Sequence, residues 1–560
     1  MLLASLAEMA SIGALLPFIG ALISPDVVFS HSMAKPFIDV LAIENPNRIL
    51  FPMTLIFCLI ITFASIIRLL LAFFTARISH IIGADLGYKM LTITLNKPYK
   101  YHISTNSSSV ITTITTKANQ VINIAVNPVL NMLAAVLMLI GISTTLMIVN
   151  PLLTITAFSG FVIIYLSVLL SFKRYLRRSS SFVAAGLPNI LKTLQESLGG
   201  IRNVIIDQKQ NTFLKRFRSI DRPVRFSQGN VQFLSQSPRY AVEGIGMILM
   251  ASIMYSLITN SENSDLNTII PTAGMLVVAA QRILPLLQLG YGSWANLIGG
   301  TQAIVDTLEI LESKIQMFND TRDVKALHFN EKLSLINIKF SHENRRQRIL
   351  NNCSLDIQKG ECLGVMGKTG CGKSTLVDII SGLLDPTEGE FFVDDVLLNR
   401  ENLPNYQVNL SHVPQSVFLL DGTISENVAF GVLREDIDFE KVDEVLSKAE
   451  ILSDIEKWPD GVNTVVGEHG IQLSGGQRQR IGIARALYKS ASIVIFDEAT
   501  SALDNKTEAK IMDTIAALKD DLTIIIIAHR IETLKCCDRI IELDNGCVSR
   551  IRKFEEINQY

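Results

Sequence analysis

Roughly six stretches in the N-terminal half of this 560-residue chain are each long and apolar enough to cross a bilayer. They run near Leu2–Ile23, Phe51–Ala76, Val121–Val149, Leu152–Phe172, Tyr240–Thr259 and Thr268–Leu289. In hydrocarbon every backbone N–H and C=O must be satisfied inside its own segment, so stretches of this kind fold as helices. The chain is 48% hydrophobic and only 19% charged, which fits membrane spans beside a soluble part. A net charge of -2 makes no case for binding nucleic acid. The 7 cysteines fall in no metal-ligand spacing and are expected to be reduced thiols, some of them in the core.

Charge orients the spans. The segment from Arg77 to Gln120 carries several Lys and Arg, and that from Lys173 to Arg239 about a dozen, including Lys173, Arg174, Arg177, Arg178, Lys215, Arg216 and Arg218. The opposite connections are poor in positive charge: Ser24–Leu50 has only Lys35 and Arg48, and Asn260–Asn267 has none. The positive-inside bias puts both basic segments in the cytoplasm, as long loops, and an even number of spans puts the C-terminal part there too. Asn150-Pro151 reads as a tight turn between the third and fourth spans. Met1 lies almost at the start of the first span, Glu8 falls inside it, and no basic region precedes the apolar run. That argues against a signal peptide and suggests a missing cytoplasmic lead-in helix.

Thr301–Glu312 is expected to continue the sixth helix beyond the membrane, and Ser313–Glu331 reads as a polar linker. From Leu333 the pattern is α/β: short apolar runs at Cys362–Met366, Ile493–Asp497 and Thr523–Ala528 suit buried parallel strands, alternating with helical stretches at Lys373–Ser381 and Gly475–Tyr488. The expected organisation is an all-α transmembrane domain over 1–312, a linker over 313–332 and an α/β domain over 333–560, whose G-x-x-x-x-G-K-S stretch at Gly367–Ser374 makes it a P-loop NTPase.

Gly367-Lys368-Thr369-Gly370-Cys371-Gly372-Lys373-Ser374 reads G-x-x-x-x-G-K-S, followed by Thr375. Its glycines let backbone N–H groups approach anionic oxygens, Lys373 reaches β/γ phosphates, and the Ser374 hydroxyl can ligate Mg²⁺. Ser474-Gly475-Gly476-Gln477 suits a second phosphate-facing surface with no lysine of its own. The strand ending in Asp497-Glu498 supplies a Mg²⁺-holding carboxylate, Asp497, and a general base for water, Glu498. Gln415 lies between the nucleotide motifs, where it can touch Mg²⁺ and the water, and His529 ends the strand Thr523–Ala528, where it can contact the γ-phosphate.

The order and spacing of these motifs resemble an ATP-binding-cassette (ABC) half-transporter of the exporter type, with six spans followed by one nucleotide domain. Ser501-Ala502-Leu503-Asp504 completes the set. The resemblance implies a head-to-tail pair of nucleotide domains, with each ATP between Lys373 of one chain and Ser474 and Gly476 of the other, and Asp504 across the same interface. A transporter then needs two chains, a homodimer or a heterodimer, in a bacterial inner membrane. Where the family commonly stacks a Tyr on adenine, this chain has His342, whose imidazole offers less area. Coupling helices are implied near His102–Ser109 and Val204–Gln210, meeting Gly467-Glu468-His469-Gly470.

Intramembrane charge is the clue to cargo. Arg282 in the sixth span and Arg68 in the second suit an anionic head group if they face a cavity, and pairing with Glu8 or Glu243 if they do not. Ala14–Phe18, Pro238-Arg239-Tyr240 with Glu243–Gly246, and Gln281–Pro285 resemble the bacterial lipid-linked-oligosaccharide flippases. Those flippases carry a short external helix, expected here at Ser32–Ala42. The implied cargo is a polyprenyl-diphosphate sugar; a drug, lipid A or peptide exporter is the alternative.

Overall fold

The computed structural model describes residues 1–23, 25–30, 45–105, 110–111, 114–115, 118–149, 151–259, 266–312, 325–341, 348–467, 470–500, 503–517, 522–528 and 530–557. The expected external helix at 32–42 and most of the linker lie outside these residues, as do His342, Glu468, His469, Ser501, Ala502 and His529. The chain divides into two compact units. One comprises Met1–Lys97 and Thr105–Ile315; the other comprises Pro98–Ser104 and Gln316–Tyr560.

The first unit is helical. Its first span breaks into α1 (Leu2–Gly13) and α2 (Leu15–Ile23). Pro17 explains the break: it has no N–H for the Gly13 carbonyl, and its ring crowds that turn. The next helices are α3 (Leu50–Leu95), α4 (Asn127–Val149), α5 (Pro151–Gly199), α6 (Gln210–Thr259) and α7 (Leu266–Gly299). Among the described residues, Leu2–Ile23, Leu50–Leu95 and Ala118–Val149 are long and apolar enough to cross a membrane. The fourth to sixth expected spans fall within α5, α6 and α7.

The basic segments correct the sequence expectation. They are mostly helical continuations of the spans, not loops. At the usual rise, the 46 residues of α3 extend about 69 Å, more than twice a hydrocarbon core. Lys173–Arg178 lie within α5, and Lys215–Arg225 within α6. Thr301–Glu312 is helical as expected, separated from α7 by a turn at Gly300.

Small residues let the helices approach. A Cβ on Gly141 of α4 would lie 2.5 Å from the Ser5 hydroxyl of α1, which itself donates to the Leu137 carbonyl at 2.7 Å. Gly300 is similarly closed by Ile124. Ile12, Leu15, Ile142, Leu146, Ala279 and Ile283 form one apolar core, and Leu176, Leu234, Val242, Tyr291 and Ala295 another.

The second unit holds two sheets. An antiparallel sheet runs β2-β1-β4-β5, from β1 (Lys332–Phe340), β2 (Leu350–Gln358), β4 (Glu388–Val393) and β5 (Val396–Leu397). A six-stranded sheet runs β10-β9-β3-β8-β7-β6, from β3 (Cys362–Gly367), β6 (Leu410–Val413), β7 (Ile493–Asp497), β8 (Thr523–Ile527), β9 (Arg539–Asp544) and β10 (Cys547–Arg552). Its interior pairs are parallel, with Cys362 opposite Ile524 and Ile493 opposite Thr523. Both faces are buried, which is why β8 can be four consecutive isoleucines: Ile525 and Ile527 join one core, Ile524 and Ile526 the other. The helix α8 (Lys373–Ile380) packs into the first of these cores, between the two sheets.

Candidate functional site

The phosphate loop joins β3 to α8. Gly367, Gly370 and Gly372 have φ of 155°, 84° and 106°, values that side-chain-bearing residues rarely adopt. A Cβ on Gly367 would collide with the Leu543 carbonyl, so glycine is required there by space as well as by angle. Lys373 is buried and folds over the loop, donating to the Gly367 carbonyl at 2.7 Å and the Lys368 carbonyl at 3.2 Å. Lys368, Thr369, Gly370 and Ser374 are exposed at the mouth of the cradle, with Thr375 half-buried behind them. The Cys371 thiol points inward and is buried, against the Gly367 side of the loop.

β7 ends at Asp497, and Glu498 follows with a φ of 49°. A left-handed glutamate is strained, and strain of this kind persists where the surroundings hold it. Two bonds do so: the Glu498 N–H donates to the Ile527 carbonyl at 3.0 Å, and Gln415 Nε2 donates to its carboxylate at 2.6 Å. Gln415 and Glu498 are 83 residues apart in sequence, and the parallel neighbours β6 and β7 bring them together. Asp378 of α8 is half-buried; burial first, and then the charge of Asp497, push its carboxyl up to about 6.

Ser474 caps α9 (Gly475–Tyr488), its hydroxyl accepting from the Gln477 N–H at 3.2 Å while Gln477 Oε1 accepts from the Ser474 N–H at 2.8 Å. Gly475 and Gly476 form the first turn of that 14-residue helix, whose N-terminal dipole favours an anion. Asp504 accepts from the Thr507 N–H at 3.1 Å, and its carboxyl is held below the usual range by the Thr507 hydroxyl and N–H.

In the helical unit, Arg282 Nη1 lies 2.7 Å from Glu8 Oε1, and Arg68 Nη1 lies 3.6 Å from Glu8 Oε2. Glu8 is buried at 3% exposure, against 24% for Arg282 and 36% for Arg68. The two arginines therefore share one carboxylate, the pairing outcome allowed by the sequence. A separate cavity of about 400 Å³ is lined by Asn123, Asn127 and Asn131, by Ser235, Gln236 and Arg239 of α6, and by Gln288, Ser293 and Asn296 of α7 among others. Among the described residues its lining holds one cation, Arg239, and no carboxylate. Ile122–Val126 winds as a π-helix, a widened turn often found at functional sites, and it carries Asn123 to this wall.

Residues 350–501 match the ABC transporter family, and residues 16–280 the ABC transporter transmembrane region, together well over half of the chain. The chain is an ABC exporter half-transporter. An ATP-dependent lipid A-core flippase of Pseudoalteromonas translucida is 31% identical over 67% of this chain and 64% of its own length. One of Francisella tularensis subsp. holarctica is 31% identical over 68% and 62%, and one of Shewanella oneidensis 26% identical over 82% and 76%. The matched region thus spans just under two thirds of the first two relatives. The structure of a bacterial Atm1-family ABC exporter with ATP bound shares the fold over 100% of this chain and 95% of that one, with a TM-score of 0.80 and 22% identity.

The nucleotide of the family is ATP with Mg²⁺, and this half-transporter's residues fit it. The loop glycines take φ values that favour glycine, Gly370 faces open space, and Ser374 is exposed at the mouth of the loop, as a backbone cradle for phosphates and a hydroxyl for the cation require. In the exporter's membrane unit, Arg239 and Pro285 of the cavity fall in the flippase-like motifs of the sequence, whereas its amide and hydroxyl residues were missed at that level. Asn123, Asn127 and Asn131 recur every four residues, as do Gln288, Gly292 and Asn296, and Ser235 stands four before Arg239. A polar stripe at helical spacing in an apolar helix was the available signal.

Proposed function

We propose that this half-transporter pairs with a second copy of itself to flip a phosphorylated glycolipid across a bacterial inner membrane, driven by ATP hydrolysis at its cytoplasmic nucleotide domains. ATP would supply the free energy and the γ-phosphoryl group that passes to water, with ADP as the leaving group, and Mg²⁺ would neutralise charge on its phosphates. Lys373 and the loop N–H groups hold the phosphates, Ser374 and Asp497 face the cation, and Gln415 orients water toward Glu498, which accepts its proton. Ser474, Gly476 and Asp504 of the second chain close the site, with His342 against adenine and His529 at the γ-phosphate. Closure and release drive alternating access, with the Tyr99–Ser104 helix, which clusters with the nucleotide unit, and the turn at Asp207–Lys209 as coupling points.

The observation that carries the cargo assignment is the Arg239 cavity. Amides and hydroxyls line it as sugar hydroxyls require, and Arg239 has no carboxylate partner among the described residues, so its charge is available to phosphate. Arg282 and Arg68 are engaged with Glu8 and reach cargo only if that pairing opens. A polyprenyl-diphosphate sugar and a lipid A core share this chemistry; the relatives' names favour the second, and the short span motifs the first. The test is stimulation of ATP hydrolysis in nanodiscs by each glycolipid. At least one should stimulate the wild type and lose most of its effect in Arg239→Ala. Equal stimulation by an uncharged drug panel and by neither glycolipid would contradict the proposal.

A further inference from the structure

Cys362 opens β3, and Cys536 and Cys537 precede β9, the strand paired with it. Cys362 and Cys537 are buried, Cys536 is half-buried, and all three sulfurs lie within 4.8 Å of one another, with Cys362 Sγ 3.7 Å from Cys537 Sγ. This separation is close to the ~3.8 Å edge of a tetrahedron with metal–sulfur bonds of about 2.3 Å. No disulfide joins them. The Asp538 carboxylate stands beside the cluster, accepting from the Cys362 N–H at 2.9 Å. The sequence alone gives no metal-ligand spacing, because two of the three thiols are adjacent and the third lies 175 residues away.

We propose that Cys362, Cys536 and Cys537 form a trithiolate site for a thiophilic divalent cation of the zinc class. Charge selects the divalent ion. Three thiolates around Zn²⁺ leave one net negative charge in a buried place, whereas around Cu⁺ they leave two. Binding releases one proton from each thiol to solvent and forms three metal–sulfur bonds, with a neutral water as the fourth ligand and Asp538 left on the Cys362 N–H. Hydrogen bonding to Cys536 raises the Cys362 thiol, and bonds to Cys362 and Cys536, together with burial, raise Cys537. Apparent affinity therefore climbs steeply with pH. The ion would fasten the start of the strand that feeds the phosphate loop to the segment following position 529, as a staple within the nucleotide unit.

The experiment uses the full chain in detergent, with Zn²⁺ titrated against a chromophoric chelator and Cd²⁺ as a charge-transfer reporter. The expected result is one Zn²⁺ per chain, thiolate-to-Cd²⁺ absorption, and tighter binding at pH 8 than at pH 6. Cys537→Ser and Cys536→Ser should each weaken binding by about 100-fold or more. Because Cys536 is only half-buried, its variant keeps the test valid if Cys537→Ser misfolds. Replacing Cys353 and Cys547 together should change nothing. No Zn²⁺ retained against the chelator, retention unchanged in Cys536→Ser, or loss in the Cys353/Cys547 variant would each overturn the site.

Discussion

Glu498 is held in a left-handed backbone by the Ile527 carbonyl and met by Gln415 at 2.6 Å, so its carboxylate is fixed before any water arrives. Glu498→Gln should slow hydrolysis by roughly 10²–10⁴-fold while leaving nucleotide binding intact, read by single-turnover assay. A second residue-scale outcome concerns pH. The Asp378 carboxyl is raised to about 6, above its unfolded value, so the folded state holds that proton more tightly. Its contribution to stability is complete below about pH 4 and is lost as pH rises through about 6. Melting followed between pH 4.5 and 7.5 should show this decline in the wild type and a flatter profile in Asp378→Asn. The phosphate loop and the Asp497-Glu498 strand end were legible in sequence because each is contiguous. The Arg282–Glu8 pair was legible only as one of two options, Glu8 or Glu243, since 274 residues separate partners that helix packing brings together.

At the scale of elements, the spans were legible from apolar length, and β3, β7 and β8 from short apolar runs, isoleucine-rich in β7 and β8. What apolar length could not reveal is that the polar ends of the spans stay helical. A charged helix and a charged loop differ little in composition once the helix leaves the lipid. The α1–α4 contact rests on Gly141 against Ser5, so Gly141→Val should lower stability by about 1–3 kcal/mol, measured by thermal denaturation in detergent. Glu8→Leu leaves two guanidiniums unpaired. Its cost should fall toward the lower end of the roughly 3–5 kcal/mol for a broken buried pair, because both arginines are partly exposed. Adding Arg282→Leu to Glu8→Leu should recover part of that loss, which a double-mutant cycle measures.

For the whole molecule, the membrane unit offers a cationic, amide-lined cavity, and the nucleotide unit offers the phosphate loop and the Ser474-capped helix that the proposed pairing of two chains would bring together around ATP. Together these make a pump only if turnover at Glu498 moves a lipid that Arg239 holds. The direct measurement is flipping of fluorescent polyprenyl-diphosphate sugar and of lipid A in proteoliposomes, with leaflet exposure read by an impermeant quencher. The expected result is ATP-dependent flipping of one of these by the wild type, none by Glu498→Gln, and a strong reduction in Arg239→Ala with ATP hydrolysis still measurable. Flipping that persists in Glu498→Gln, or that is untouched by Arg239→Ala, would contradict the account.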